Sequence, residues 1–71
     1  MINSQELKRR MKQQAMRQQD LANELGIRQS SLNLKINNLR PMMLHEAEII
    51  AEVLNISNSD FGYYFFWTGV A

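Results

Sequence analysis

The side chains best placed to do chemistry here are amides and hydroxyls rather than acids or thiols. Gln29, Ser30 and Asn33 share one face of a helix with Leu34 if the segment is helical. Glutamine and asparagine can form paired hydrogen bonds with an adenine edge, and serine can donate to or accept from several bases. A charge-poor face of this kind suits base edges, whereas a merely soluble face more often carries glutamate and lysine. Leu34 has two readings, a contact to a thymine methyl or an isolated surface leucine that needs no explanation.

Other reactive chemistry has little to work with. The chain has no cysteine, which excludes disulfides, thiolate zinc sites and thiol nucleophiles together and is compatible with a reducing compartment. His45 is the single histidine and reads as a helix-start or surface residue rather than a ligand. No nucleophile motif surrounds any serine, and glycine occurs only at Gly26, Gly62 and Gly69, so no phosphate-cradling loop is present. The expectation is no catalytic residue, no metal, no cofactor and no small-molecule substrate.

Five helical segments would position the amide face. The first spans about Ser4 to Gln14, with Asn3 and Glu6 at capping-box spacing and Ile2 and Leu7 at staple spacing. The second, about Gln18 to Leu25, buries Leu21, Ala22 and Leu25 and ends at Gly26, which tolerates the left-handed conformation. The third, about Gln29 to Asn37, turns Leu32, Ile36 and Leu39 to the core, Leu39 standing close to the loop before Pro41. The fourth, about His45 to Leu54, carries Ala47, Ile50, Ala51 and Leu54 on one face, widened by Ile49 and Val53, with Glu46, Glu48 and Glu52 elsewhere. Several N-cap residues from Ser57 to Asp60 precede a fifth, about Ser59 to Trp67. The fold class is therefore all-α, and residues 1–71 make a single domain. A chain this short buries only about 60% of its unfolded surface, so it needs efficient packing or a dimer partner.

Charge is distributed unevenly although the net value is only +1. Residues 1–40 hold all eight basic residues against three acidic ones, and residues 41–71 hold four acidic residues and no basic one. Such asymmetry points to nucleic-acid contact by the basic half, while a solvated basic face would explain the charge alone. Arg17, Arg28, Lys35, Asn37, Asn38 and Arg40 flank the amide face and are candidates for phosphate contacts, which fix register without reading sequence. For Lys8, Arg9, Arg10 and Lys12 the solvated face is the preferred reading.

All six aromatic residues lie between Phe61 and Trp67. Phe61, Tyr64 and Phe65 have core spacing, which leaves Tyr63, Phe66 and Trp67 either to complete a thin core or to form a homodimer contact. No apolar run approaches the roughly 20 residues of a membrane span. The polar start MINSQELKRRM is unlike a signal peptide. A soluble, cytoplasmic protein is expected.

Gln18 to Asn38 reads as two short helices about a glycine turn, the unit that lays its second helix in the DNA major groove, with a generic helical hairpin as the alternative. The pattern Gln18, Leu21-Ala22, Leu25-Gly26-Ile27, Gln29-Ser30, Leu32, Ile36 and Asn37, followed by IIAEVLNI, resembles the Cro-type helix-turn-helix family of phage repressors over roughly Leu7 to Ile56. The resemblance implies a five-helix, lambda-repressor-like DNA-binding domain with the helix-turn-helix at helices 2 and 3. It implies that Gln18 contacts a phosphate and supports Gln29, the first base-reading residue. It also implies that Ser30 and Asn33 face bases, that Asn37 approaches the backbone, and that a homodimer binds a palindromic operator in double-stranded DNA. The LNLKIN run and the Tyr-Tyr-Phe-Phe ending are similar to small prophage-encoded members.

Four positions make three kinds of departure from the family pattern. Arg17 and Arg28 stand where a Thr or Ser N-cap is common, at a cost of about 1 kcal/mol each unless another residue caps the helix. Lys35 replaces a commonly apolar residue, so its stem must snorkel across the core edge. Asn38 replaces a glycine and is the next best residue for a left-handed position. The function expected is a sequence-specific transcriptional regulator, a prophage repressor in the first instance. The competing expectation is an interaction module that modulates a separate repressor through the aromatic C-terminus or Leu34.

Overall fold

The computed structural model describes residues 1–69. Its helices are α1 (Ser4–Gln13), α2 (Gln18–Leu25), α3 (Gln29–Ile36), α4 (Leu44–Val53) and α5 (Phe61–Phe65), with one 3-10 turn, Asn58–Asp60, before α5. Among the described residues there is no strand, and the architecture is the all-α arrangement that the apolar periodicity requires.

The first four helices end in the same way. A left-handed residue follows each: Ala15 (φ 54), Gly26 (φ 70), Asn38 (φ 62) and Asn55 (φ 56). The next amide then reaches back to a carbonyl that the helix end leaves without a partner. These bonds run from Met16 to Met11, Ile27 to Ala22, Leu39 to Leu34 and Ile56 to Ala51, at 2.8 to 3.1 Å. Glycine and asparagine suit that geometry, whereas at Ala15 the Cβ adds a cost of about 1–2 kcal/mol.

Leu7, Leu21, Leu32, Ile36, Ile50 and Leu54 are fully buried, so each of the first four helices anchors in one core. Ile2, Met11, Ala22, Ala47, Ala51, Ile56 and Phe65 complete it. α2 packs against both α3 and α4, and the small, fully buried Ala22 permits that close approach. Arg10 closes the far end of α4 by donating from Nε to the Leu54 carbonyl at 2.9 Å and from Nη2 to the Asn55 carbonyl at 2.7 Å.

Several local expectations are corrected. Leu39 is 74% exposed rather than on the core stripe, because α3 stops at Ile36 and the reversal at Asn38 turns the chain outward. Asn3 makes no capping hydrogen bond from its side chain; it is buried, and its N–H donates to the Tyr64 carbonyl at 2.8 Å. Glu6 instead pairs with Arg9 at 3.4 Å and accepts the Tyr63 hydroxyl at 3.3 Å. The last helix is shorter than its aromatic periodicity predicts. The Trp67 N–H is taken by the Met1 carbonyl at 3.0 Å, which draws the chain away from the helix after Phe65.

Candidate nucleic-acid interface

α2 and α3 meet through the buried Leu21, Ala22 and Leu32 on either side of the Gly26 turn. That packing leaves the start of α3 projecting into solvent. Gln29, Ser30 and Asn33 are all exposed there, and Leu34 is half-buried. Gln18 stands half-buried at the start of α2, and among the described residues no hydrogen bond joins it to Gln29.

The flanking cations are of three kinds. Arg28 is exposed and, among the described residues, has no carboxylate partner. Arg40 is also exposed and makes only a long 3.4 Å contact with the Ser31 hydroxyl. Arg17 has an 84% exposed side chain and pairs with Asp20 at 3.3 Å. The Asp20 carboxylate also accepts the Arg17 N–H at 3.1 Å, which supplies half of the cap that arginine cannot make for itself. This backbone hydrogen bond, reinforced by the Arg17 side chain, holds the Asp20 carboxyl below its ordinary pKa. Among the described residues none replaces the missing side-chain cap at Arg28, so the first N–H groups of α3 face outward with the amide side chains.

Two expected phosphate contacts are used inside the fold instead. The Lys35 ammonium is bound by the Glu46 carboxylate, with side chains only 14% and 7% exposed. Its stem runs along the core edge as expected, but an acid rather than water meets its charged end. Glu46, which the apolar pattern set apart from the core face of α4, is buried and accepts the Met43 N–H at 2.8 Å through its other oxygen. Burial raises the Glu46 pKa, but the Lys35 hydrogen bond, the Met43 N–H and the charges of Lys35 and His45 outweigh it and leave the carboxyl below its ordinary value. Asn38 is likewise committed. Its Oδ1 accepts the Ile2 N–H at 2.7 Å and its Nδ2 donates to the Ile2 carbonyl at 2.9 Å, as a neighbouring strand would.

Asn37 remains at the edge of the exposed face, half-buried, and receives a residue that was not expected there. Lys8 of α1 donates from Nζ to Asn37 Oδ1 at 2.8 Å, while Ser4, one turn earlier on α1, donates to the Ile36 carbonyl. The spacing of Ser4 and Lys8 shows that they share a face. Which helix end that face meets is a long-range fact with no local signal.

The chain matches the Cro/C1-type HTH DNA-binding domain family over residues 6–65. It belongs to that family. Comparison with curated proteins and with solved structures finds no match. The function class of a Cro/C1-type domain is DNA-binding regulation of transcription, and α2 and α3 are the two helices of its helix-turn-helix.

Phe66 and Trp67 lie beyond the matched segment of this Cro/C1-type domain. Phe65 is buried and Phe61 and Tyr64 pack against the core, as their spacing predicts. Phe66 is 64% exposed, Tyr63 51%, and Trp67 half-buried. Phe66 also borders a shallow groove of about 460 Å³, shared with Met1, Leu39, Pro41 and Met42. Among the described residues no cluster of three or more His, Cys, Asp or Glu is placed to hold a metal ion. No described helix is long and apolar enough to cross a membrane.

Proposed function

We propose that this protein is a sequence-specific repressor of prophage type that inserts α3 into the major groove and occludes a promoter. One observation carries the reading: the exposed Gln29, Ser30 and Asn33 share the projecting face of α3, next to Arg28 and Arg40, neither of which has a carboxylate partner among the described residues. In this reading Gln29, Ser30 and Asn33 read bases and Leu34 lies at the margin. Gln18, Arg17, Arg28, Asn37 and Arg40 hold the backbone, with Gln18 supporting Gln29 when DNA is bound. The operator is palindromic because two copies bind it. The second copy is proposed to pack on the exposed apolar surface of Phe66, Leu39 and Met1, with Trp67, bonded to Met1 through its N–H, and the exposed Tyr63 as further contacts.

Selection of bound sites from a random duplex library tests the proposal. Enrichment of one inverted-repeat sequence is the expected result. Gln29→Ala and Asn33→Ala should each weaken binding to that site by roughly five- to 150-fold, the worth of one good base contact. Unchanged affinity and specificity in both variants would refute base reading by this face.

A further inference from the structure

Lys8, Asn37 and Asn33 form a hydrogen-bonded chain whose direction is set from both ends. An ammonium group only donates. Its bond to Asn37 Oδ1, at 2.8 Å, therefore places the oxygen of that amide toward α1 and its nitrogen toward the preceding turn of α3. There Asn37 Nδ2 donates to the Asn33 carbonyl at 2.9 Å and to Asn33 Oδ1 at 3.1 Å. A backbone carbonyl only accepts, so the two ends agree independently. The Asn33 oxygen is thereby turned toward Asn37, with one of its two lone pairs used, and its NH₂ group is the part of the exposed amide turned outward to meet a ligand.

Resting on the reading of α3 as the base-reading helix, we propose that Lys8 is a positioning residue for specificity. Acting through Asn37, it presents Asn33 to the DNA as a hydrogen-bond donor. In the major groove guanine offers N7 and O6 as acceptors, adenine N7 and thymine O4, whereas cytosine offers only its N4 donor. The base that faces the Asn33 NH₂ is therefore one with an acceptor, and cytosine, which offers that group only another donor, is disfavoured there. Without Lys8, one of the two ends that fix the Asn37 amide is lost, only the bonds within α3 hold it, and the preference of Asn33 for presenting nitrogen is weakened.

The test compares wild type with Lys8→Met, Lys8→Arg and Asn37→Ala by two readouts. In the free protein, NMR of the side-chain amides should show the Asn37 NH₂ protected from exchange relative to that of Asn33. This protection should fall in Lys8→Met, where the amide loses its anchor at the oxygen, and be kept in Lys8→Arg, whose guanidinium also only donates. In site selection, Lys8→Met and Asn37→Ala should reduce discrimination against cytosine at one position of each half-site by roughly fivefold, about one hydrogen bond. Preferences at the positions read by Gln29 and Ser30 should persist, and Lys8→Arg should restore the lost one. A uniform fall in affinity with unchanged base preferences would make Lys8 a phosphate contact only and overturn the proposal. Unaltered Asn37 protection in Lys8→Met would overturn it without reference to DNA. A wild-type protein that enriches no sequence would instead overturn the base-reading assignment itself, and this inference with it.

Discussion

Replacing Lys35 with methionine should reverse the sign of one part of the pH dependence of stability. In the wild type the Glu46 carboxyl titrates below its ordinary value of 4.5, since Lys35 and the Met43 N–H outweigh burial. A carboxyl depressed in the folded state stabilises the fold above its unfolded pKa, and this contribution is lost as pH falls through the folded value. Methionine removes the first-named of the lowering influences, the Lys35 hydrogen bond, together with the Lys35 charge. Burial, the largest single influence and one that raises the pKa, is then opposed only by Met43 and His45 and should prevail over them. With the folded pKa raised above the unfolded one, the carboxylate weakens the fold at neutral pH, and acidification to about pH 4 recovers part of the loss.

The size of the effect follows from the burial of the pair. Both side chains are largely inaccessible, at 14% and 7%, and removing one partner of a buried pair costs about 3–5 kcal/mol. The lower figure applies here, because the pair lies at the core edge and Met43 still donates to the carboxylate. A 71-residue chain has a total stability of roughly 4–10 kcal/mol, so Lys35→Met should be folded but marginal at pH 7. Glu46→Gln should be milder, because the amide oxygen can still accept from Met43 and the lysine stem can carry its ammonium to water. Urea titrations followed by circular dichroism from pH 3.5 to 7 measure this. With a slope on the order of 1 kcal/mol per M, the expected midpoint loss for Lys35→Met at pH 7 is about 3 M, shrinking toward pH 4. The acid response of Asp20 is common to both proteins and cancels in the difference. A difference that is constant or grows on acidification would refute the burial argument.

Other consequences are separable from this one. Ala15→Gly should raise stability by about 0.5–1 kcal/mol, because the left-handed strain at φ 54 is relieved at some cost in chain entropy. Asn38→Gly at φ 62 should instead lower it, since glycine suits the backbone but loses both bonds to Ile2; thermal unfolding reads both changes. Arg28→Ala should reduce the slope of log affinity against log salt by about 0.9 per half-site, whereas Lys35→Met, assayed where it is folded, should leave the slope unchanged. The double variant Phe66→Ser with Leu39→Ser should shift sedimentation toward the monomer and weaken full-operator binding more than half-site binding.

What could be read in advance was what depends on nearby residues. The Gly26 turn, the left-handed Asn38 and the exposure of Gln29, Ser30 and Asn33 all follow from φ preference or helical period, and the structure has them so. The roles of Lys35, Asn38 and Lys8 depend instead on partners 11, 36 and 29 positions away, which no local pattern encodes. These distant contacts answer a mechanical problem. α3 buries only Leu32 and Ile36, and two apolar side chains on one stripe leave its rotation about its own axis poorly determined. The polar bonds from Ser4 to Ile36, Lys8 to Asn37, Lys35 to Glu46 and between Ile2 and Asn38 supply the missing constraint. All four fall in the last turn of α3 or just beyond it. The helix is held by its C-terminal end, and its N-terminal end, with Gln29 and Ser30, is left free to meet a ligand.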